Sequence, residues 1–98
     1  MNISFKHSLL EAQIDKSQYM CNIFVDDKNV GYCKYSVVDN DVQFAYIEYI
    51  SIKPFHKRKG YATEMVMELK SKYELRWNLQ FTQDGRQWYH GLVNKKII

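Results

Sequence analysis

The chain of 98 residues suits one domain, taken here as residues 1–98, and its 46% of hydrophobic and 15% of aromatic residues exclude a disordered polypeptide. No apolar run reaches the roughly 18 residues of a membrane span, and the N-terminus lacks a signal-peptide profile, so we expect a cytoplasmic protein. The formal net charge of +3 is mild, and three adjacent cations at 57–59 matter more than the total. Cys21 and Cys33 fit neither a metal nor a disulfide spacing, and we expect two buried strand residues.

The first half of the chain has the two-residue periodicity of β-strands. Its start is ambiguous, because Ile3 and Phe5 suit an edge strand whereas Leu9–Ile14 suits a short helix or a strand. Apolar and aromatic residues then alternate between short polar turns, which predicts an antiparallel meander. The expected strands of this meander are residues 19–25, 30–38 and 42–52.

The second half changes to a helical period. Its apolar residues are spaced four, three and four apart, which predicts one buried stripe of a helix, and they are Ala62, Val66, Leu69 and Tyr73. A strand at 75–82 and a last helix from about Asp84 to Asn94 follow. A strand, helix and strand in succession form a crossover, so strand 75–82 should run parallel to strand 42–52. The predicted fold class is α+β (mixed α/β): an antiparallel meander, a helix, a parallel strand and a C-terminal helix.

The link between the meander and the first helix is strongly cationic. Pro54 ends the preceding strand because proline cannot donate to a ladder, and Gly60 lies at the start of the helix. Backbone N–H groups at a helix N-terminus attract anions, and Lys57, Arg58 and Lys59 add charge around them. A solvated turn has the same composition, and a glycine at the start of the helix leaves room for a phosphate, so the residues alone leave both interpretations open.

The segment from Ile52 to Ala62 resembles the signature of the GNAT superfamily of acetyl-CoA-dependent N-acetyltransferases. In that family a strand ends in V-x-P, and R/Q-x-x-G-x-G/A opens a helix. Lys57 stands at the R/Q position, Gly60 at the glycine and Ala62 at the small residue. Lysine is a point charge, so contact through the backbone of Lys57 is the safer expectation.

The similarity extends more loosely over residues 18–90. Residues 82–89 are similar to the family's N-x-x-A-x-x-F-Y segment, with Thr82 and Gly85 in place of Asn and Ala. The chain is short for the family, and we expect it to lack most of the first helical pair and to end before the final two strands. Those parts commonly form the acceptor pocket, so the cofactor half is better supported than the substrate half.

The resemblance implies direct transfer of an acetyl group from acetyl-CoA, as cosubstrate, to an amine. The pyrophosphate would lie on the backbone of residues 58–62, and the pantetheine arm would pair with the end of strand 42–52. The expected cofactor-binding residues are Ile50, Ile52, Lys57, Arg58, Lys59, Gly60, Tyr61 and Ala62.

Two catalytic residues are expected on the same grounds. Glu48 is the only carboxylate in the interior of its strand, so we expect a base that acts directly or through a water; the alternative is a glutamate on a solvent-facing sheet. Two-residue alternation predicts one shared face for Tyr46, Glu48, Ile50 and Ile52. Tyr89 matches the family's tyrosine that protonates the coenzyme A thiolate, although it would also suit helix packing.

Other partners and functions follow less directly from the sequence. No metal is expected, because His7 and His90 have no partner at ligand spacing. A GNAT-like module that binds coenzyme A or a protein without catalysis stays an alternative, as does a nucleic-acid module using residues 53–59 and exposed aromatics. The 11 acidic residues argue against nucleic acid. The acceptor is an unidentified protein, peptide or small amine, no membrane partner is expected, and an open sheet edge allows a homodimer.

Overall fold

The computed structural model describes residues 2–38, 41–77 and 83–94 of the chain. Its elements, in chain order, are β1 (Ile3–Ala12), β2 (Lys16–Val25), β3 (Lys28–Val38), β4 (Asp41–Ile52), a 3-10 turn (Pro54–His56), α1 (Tyr61–Lys70), β5 (Glu74–Trp77) and α2 (Gln83–Asn94). This order confirms the expected α+β class, with a strand meander followed by a helix, a strand and a second helix.

The five strands form one sheet in the order β1-β2-β3-β4-β5. The first four are antiparallel neighbours, and β4 and β5 are parallel, which confirms the expected crossover. The ambiguous N-terminal segment is an edge strand as far as Ala12. Residues 78–82 of the last expected strand lie outside the described residues.

The hairpin between β2 and β3 turns on two aspartates. Asp26 and Asp27 have φ angles of 49° and 70°, the left-handed conformation that a two-residue hairpin turn requires. The backbone N–H of Asp26 donates to the carbonyl of Asn2 at 2.9 Å, and the N–H of Asn2 donates to Oδ1 of Asp26 at 2.9 Å. The turn therefore also anchors the start of β1.

One face of the sheet packs against α1 and forms the core. The buried hydrophobic cluster consists of Cys21, Ile23, Val30, Cys33, Tyr35, Val37, Ala45, Ile47, Tyr61, Met65 and Leu69. Cys21 and Cys33 lie opposite each other on β2 and β3, and both thiols are free and buried, as expected. Burial raises the pKa of Cys21 to about 12 and also raises the pKa of Cys33, which favours the neutral thiol at both positions.

A polar bridge ties the edge strand to the helix. The Nε2 atom of His7 lies 2.9 Å from the Glu68 carboxylate, and its Nδ1 atom lies 2.8 Å from the Tyr35 hydroxyl. This contact holds β1 against α1, and it joins two residues that are 61 positions apart in the sequence.

Candidate functional site

Glu48 lies in a bulge of β4, on the face of the sheet opposite α1. Ile47 pairs with Tyr35 and Tyr49 pairs with Lys34, which leaves Glu48 as the extra residue. An extra residue on one strand interrupts the alternation of its side chains.

The bulge contradicts the prediction that Tyr46, Glu48, Ile50 and Ile52 share one face. Ile50 lies opposite the buried Cys33, and both isoleucines pack against the core cluster. Glu48 instead contacts polar residues on the other face. The two-residue alternation holds only up to the bulge.

The carboxylate of Glu48 is held by side chains from two neighbouring strands. Nε2 of Gln18 donates to Oε2 at 2.6 Å, and the Ser36 hydroxyl donates to Oε1. Gln18 and Ser36 are register partners on β2 and β3, and Ser36 is only 3% exposed. A carboxylate has about four acceptor positions, so two donors orient Glu48 and leave capacity for a substrate or a water. We call these three residues the Glu48 cluster.

The described part of the ladder between β4 and β5 reaches this cluster. It runs from the pair Phe44 and Glu74 to the pair Ile47 and Trp77, and Glu48 is the next residue of β4. β4 itself continues from there to Ile52.

The backbone of this last part of β4 faces away from β3 at the two expected positions. The N–H of Lys53 donates to the carbonyl of Val30 at 2.9 Å, so Lys53 faces β3. Since N–H groups alternate sides along a strand, those of Ile50 and Ile52 point away from β3. Gly31 allows the close packing of this strand end, because a Cβ there would lie 2.5 Å from the carbonyl oxygen of Ser51.

The cationic turn, residues 53–60, connects β4 to α1. All of its residues are exposed except His56, whose ring centroid lies 6.3 Å from that of Tyr61. Arg58 has a φ of 63°, which is a left-handed conformation that is unfavourable for a residue with a side chain. Lys57, Arg58 and Lys59 thus present their charges to solvent at the start of α1.

Gly60 is the N-cap of α1, with a φ of 84°, and no described side chain caps the helix. A Cβ at Gly60 would have no described atom within 4 Å, so an anion can approach the backbone there. The N–H groups of the first turn include that of Ala62. The Tyr61 side chain is 6% exposed and belongs to the core, so Tyr61 presents only its backbone to the turn.

Tyr89 lies beside the end of β5. Its ring meets that of Trp77 edge-on, with centroids 5.0 Å apart. On the same helix, Nε1 of Trp88 donates to the Thr63 hydroxyl at 2.9 Å, which joins α2 to the first turn of α1. Trp77 pairs with Ile47 and packs against the core cluster, so Tyr89 lies on the α1 side of the sheet, and Glu48 lies on the other side.

The sequence patterns did not indicate Gln18 and Ser36 as site residues. Their pairing depends on the register between β2 and β3, and their approach to Glu48 depends on the bulge. The only sequence signal is that both are polar residues in or next to predicted strands. The contact between Thr63 and Trp88 was also missed.

Within residues 2–38, 41–77 and 83–94, no cluster of three or more His, Cys, Asp or Glu side chains is arranged to hold a metal ion. Among those same residues, no helix has the length and apolar character needed to cross a membrane.

The fold and site define a class of protein: a mixed sheet with a glutamate held on one of its strands, followed by a cationic turn and a helix N-terminus. Residues 2–87 match the model of the acetyltransferase (GNAT) family. The match covers most of the chain, so the protein belongs to this family, as the segment from Ile52 to Ala62 indicated. A search of curated proteins gave no significant match.

Solved structures with the same fold include the ribosomal-protein-alanine N-acetyltransferase of Brucella melitensis biovar Abortus 2308, with a TM-score of 0.65, 20% identity and coverage of 76% of this chain and 62% of that one. An acetyltransferase of Thermus thermophilus has a TM-score of 0.61 and 11% identity, covering 80% and 53%. AAC(6')-Iy, in complex with the bisubstrate analogue CoA-S-monomethyl-acetylneamine, has a TM-score of 0.54 and 10% identity, covering 84% and 61%. The chain therefore spans between 53% and 62% of the length of these relatives, and the likeness establishes the fold.

Proposed function

We propose that this protein is an N-acetyltransferase that transfers an acetyl group directly from acetyl-CoA to an amine of a protein, a peptide or a small molecule. The observation that carries the proposal is the position of Glu48. Gln18 and Ser36 hold its carboxylate on β4, one residue beyond the pair Ile47 and Trp77 of the β4–β5 ladder. The same strand then leads into a cationic turn and a helix N-terminus.

The cofactor would lie along the end of β4 and the start of α1. The N–H groups of the first turn of α1 and the positive end of its dipole suit the pyrophosphate, and Gly60 leaves room for its approach. The pantetheine arm would pair with the edge of β4 through the backbone of Ile50 and Ile52. One of these N–H groups would also donate to the thioester oxygen as it gains negative charge, a contribution of about 3 kcal/mol in comparable sites.

The amine must be neutral before it attacks the thioester carbon. An amine with a pKa of about 10.4 is neutral in only about one molecule in 2,500 at pH 7, which corresponds to about 4.6 kcal/mol. The unused acceptor positions of Glu48 would take this proton, directly or through a water. Because the neutral donors Gln18 and Ser36 orient the carboxylate, it needs little rearrangement to act as a base.

The leaving coenzyme A thiolate also needs a proton. As the amine nitrogen bonds to the acetyl carbon, the carbon–sulfur bond breaks and the electron pair stays on sulfur. The Tyr89 hydroxyl would supply the proton from the α1 side, so that acid and base act from opposite faces of the sheet. The proposal keeps the cytoplasmic location expected from the sequence.

The proposal is tested first by ligand binding and then by turnover. Acetyl-CoA at 100 times its dissociation constant should raise the free energy of unfolding by about 2.7 kcal/mol and raise the melting temperature. Acetyl-CoA consumption would then be measured with a panel of amines and peptides. An unchanged melting temperature would contradict the cofactor assignment. Binding with no acetylation across a broad panel would instead favour the non-catalytic coenzyme A-binding module.

A further inference from the structure

An aromatic side chain projects into solvent from the cationic turn. Phe55 is 91% exposed, and among the described large hydrophobic residues only Ile14, at 102%, is more so. The cations Lys53 and Lys57 lie two residues to either side of Phe55, and all three side chains are exposed. A lone apolar ring on such a surface is suited to a ligand with both an aromatic face and negative charge.

The turn holds Phe55 in this outward position. The N–H of Lys53 donates to the carbonyl of Val30, and the N–H of His56 donates to the carbonyl of Lys53, both at 2.9 Å. The His56 ring packs near Tyr61, whose side chain is buried at the start of α1. Phe55 is therefore fixed between two anchored residues, and its ring is presented to a ligand with little loss of backbone freedom.

We infer that Phe55 is the stacking platform for the adenine ring of coenzyme A, and that cations of the same turn bind its 3'-phosphate. The inference rests on the proposed function, because it takes the pyrophosphate to lie at the start of α1. Only a ribose separates the adenine from the pyrophosphate, so the base must land on a surface that borders Gly60. Phe55 lies five residues before Gly60 on an exposed turn. The residue after it, His56, packs near Tyr61 of α1.

The expected size of the effect follows from stacking between a base and an aromatic side chain. Removing such a platform typically lowers affinity by about tenfold. Single-stranded nucleic acid also offers purines and phosphates, but coenzyme A presents them as one nucleotide, which matches one exposed ring. The two sources are separated by the ligands used in the test.

The test compares Phe55→Ala with the wild type by isothermal titration calorimetry on three ligands. Coenzyme A carries both the adenine ring and the 3'-phosphate, dephospho-coenzyme A lacks the 3'-phosphate, and phosphopantetheine lacks the whole adenosine. Phe55→Ala should lower the affinity for the first two about tenfold and leave that for phosphopantetheine unchanged. Phe55→Tyr keeps the ring and should restore binding. Ile14→Ala, which truncates an exposed apolar residue in another turn, is the matched control and should have no effect.

Three outcomes would overturn the inference. An equal loss for phosphopantetheine would mean that Phe55 supports the turn and does not stack on the base. Unchanged coenzyme A binding in Phe55→Ala, with binding still abolished by Gly60→Glu, would reject the adenine site and leave the acetyltransferase proposal intact. A wild type that binds no coenzyme A but binds an oligonucleotide with a steep salt dependence would reject both proposals.

Discussion

The cationic turn and the Glu48 cluster belong to the same end of the sheet but are built in different ways. The turn is contiguous in sequence and mostly exposed, and it offers backbone N–H groups and exposed cations. The cluster joins one side chain from each of three strands, and Ser36 is nearly inaccessible. A backbone site should resist the loss of any one cation and fail when its glycine is blocked, whereas a side-chain site should fail when one functional group changes.

The largest effect is expected from Gly60→Glu. The new carboxylate would lie where the pyrophosphate is proposed to bind, and like charges in contact cost several kcal/mol, or on the order of 10³-fold in coenzyme A affinity. Calorimetric titration with coenzyme A measures the loss.

The φ of 84° at Gly60 also strains any side chain, so a fold control is needed. Asparagine tolerates this conformation and adds no charge. Gly60→Asn should therefore keep a near-native melting temperature and a higher affinity for coenzyme A than Gly60→Glu. Full coenzyme A affinity in Gly60→Glu would show that the pyrophosphate does not bind at this turn.

The second prediction concerns the Glu48 cluster. Glu48→Gln keeps the shape of the side chain, and the Ser36 hydroxyl can rotate to accept a hydrogen bond from the new amide. Turnover should drop by about 10², while coenzyme A affinity stays within about threefold, because proton transfer occurs during chemistry and not during docking. Acetyl-CoA consumption is measured from pH 7 to pH 9, and higher pH should partly rescue the variant. Wild-type turnover in Glu48→Gln would show that Glu48 has only a structural role.

Tyr89→Phe tests the proposed acid in the same assay. It removes only the hydroxyl, so packing against Trp77 should persist and turnover should fall by up to about 10². Circular dichroism and the affinity for coenzyme A serve as controls. A variant as active as the wild type would assign Tyr89 to helix packing alone.

A smaller effect is expected where β3 supports the strand end that joins the two regions. In Gly31→Ala the new Cβ would lie 2.5 Å from the carbonyl oxygen of Ser51 and 2.6 Å from Cδ1 of Ile52. The free energy of unfolding should fall by about 1–3 kcal/mol, measured in urea. Gly91→Ala in α2, where no described atom lies within 4 Å, should instead gain up to about 1 kcal/mol. Equal stability of the two variants would refute the close packing.

The smallest effect is expected at Arg58. Arg58→Gly relieves a left-handed φ of 63° but gives the unfolded chain more freedom, so the free energy of unfolding should change by less than about 1 kcal/mol. Losing one exposed charge should lower coenzyme A affinity by about two- to fivefold. A loss as large as that in Gly60→Glu would show that the turn binds through one side chain and not through its backbone.

Most of the fold was predictable, because strand and helix periods are local properties of the sequence. Residues 3–14 were the exception: the pattern from Leu9 to Ile14 suited two structures, and pairing with β2 made a strand that ends at Ala12, with Ile14 in the turn that follows. The assignment of Glu48 to one face with Ile50 and Ile52 failed for a related reason. A bulge is set by how β3 and β4 fit together, and their alternating sequences show nothing of it.

The sequence by itself determined the class of the fold, the family and the cationic turn that ends at Gly60. These depend on neighbouring residues, such as a proline that ends a strand and a glycine that opens a helix. Only the tertiary structure decided which side chains hold Glu48, on which face it lies, and that His7 meets Glu68. Such contacts join residues up to 61 positions apart, and they follow from strand register and packing, which no local pattern specifies.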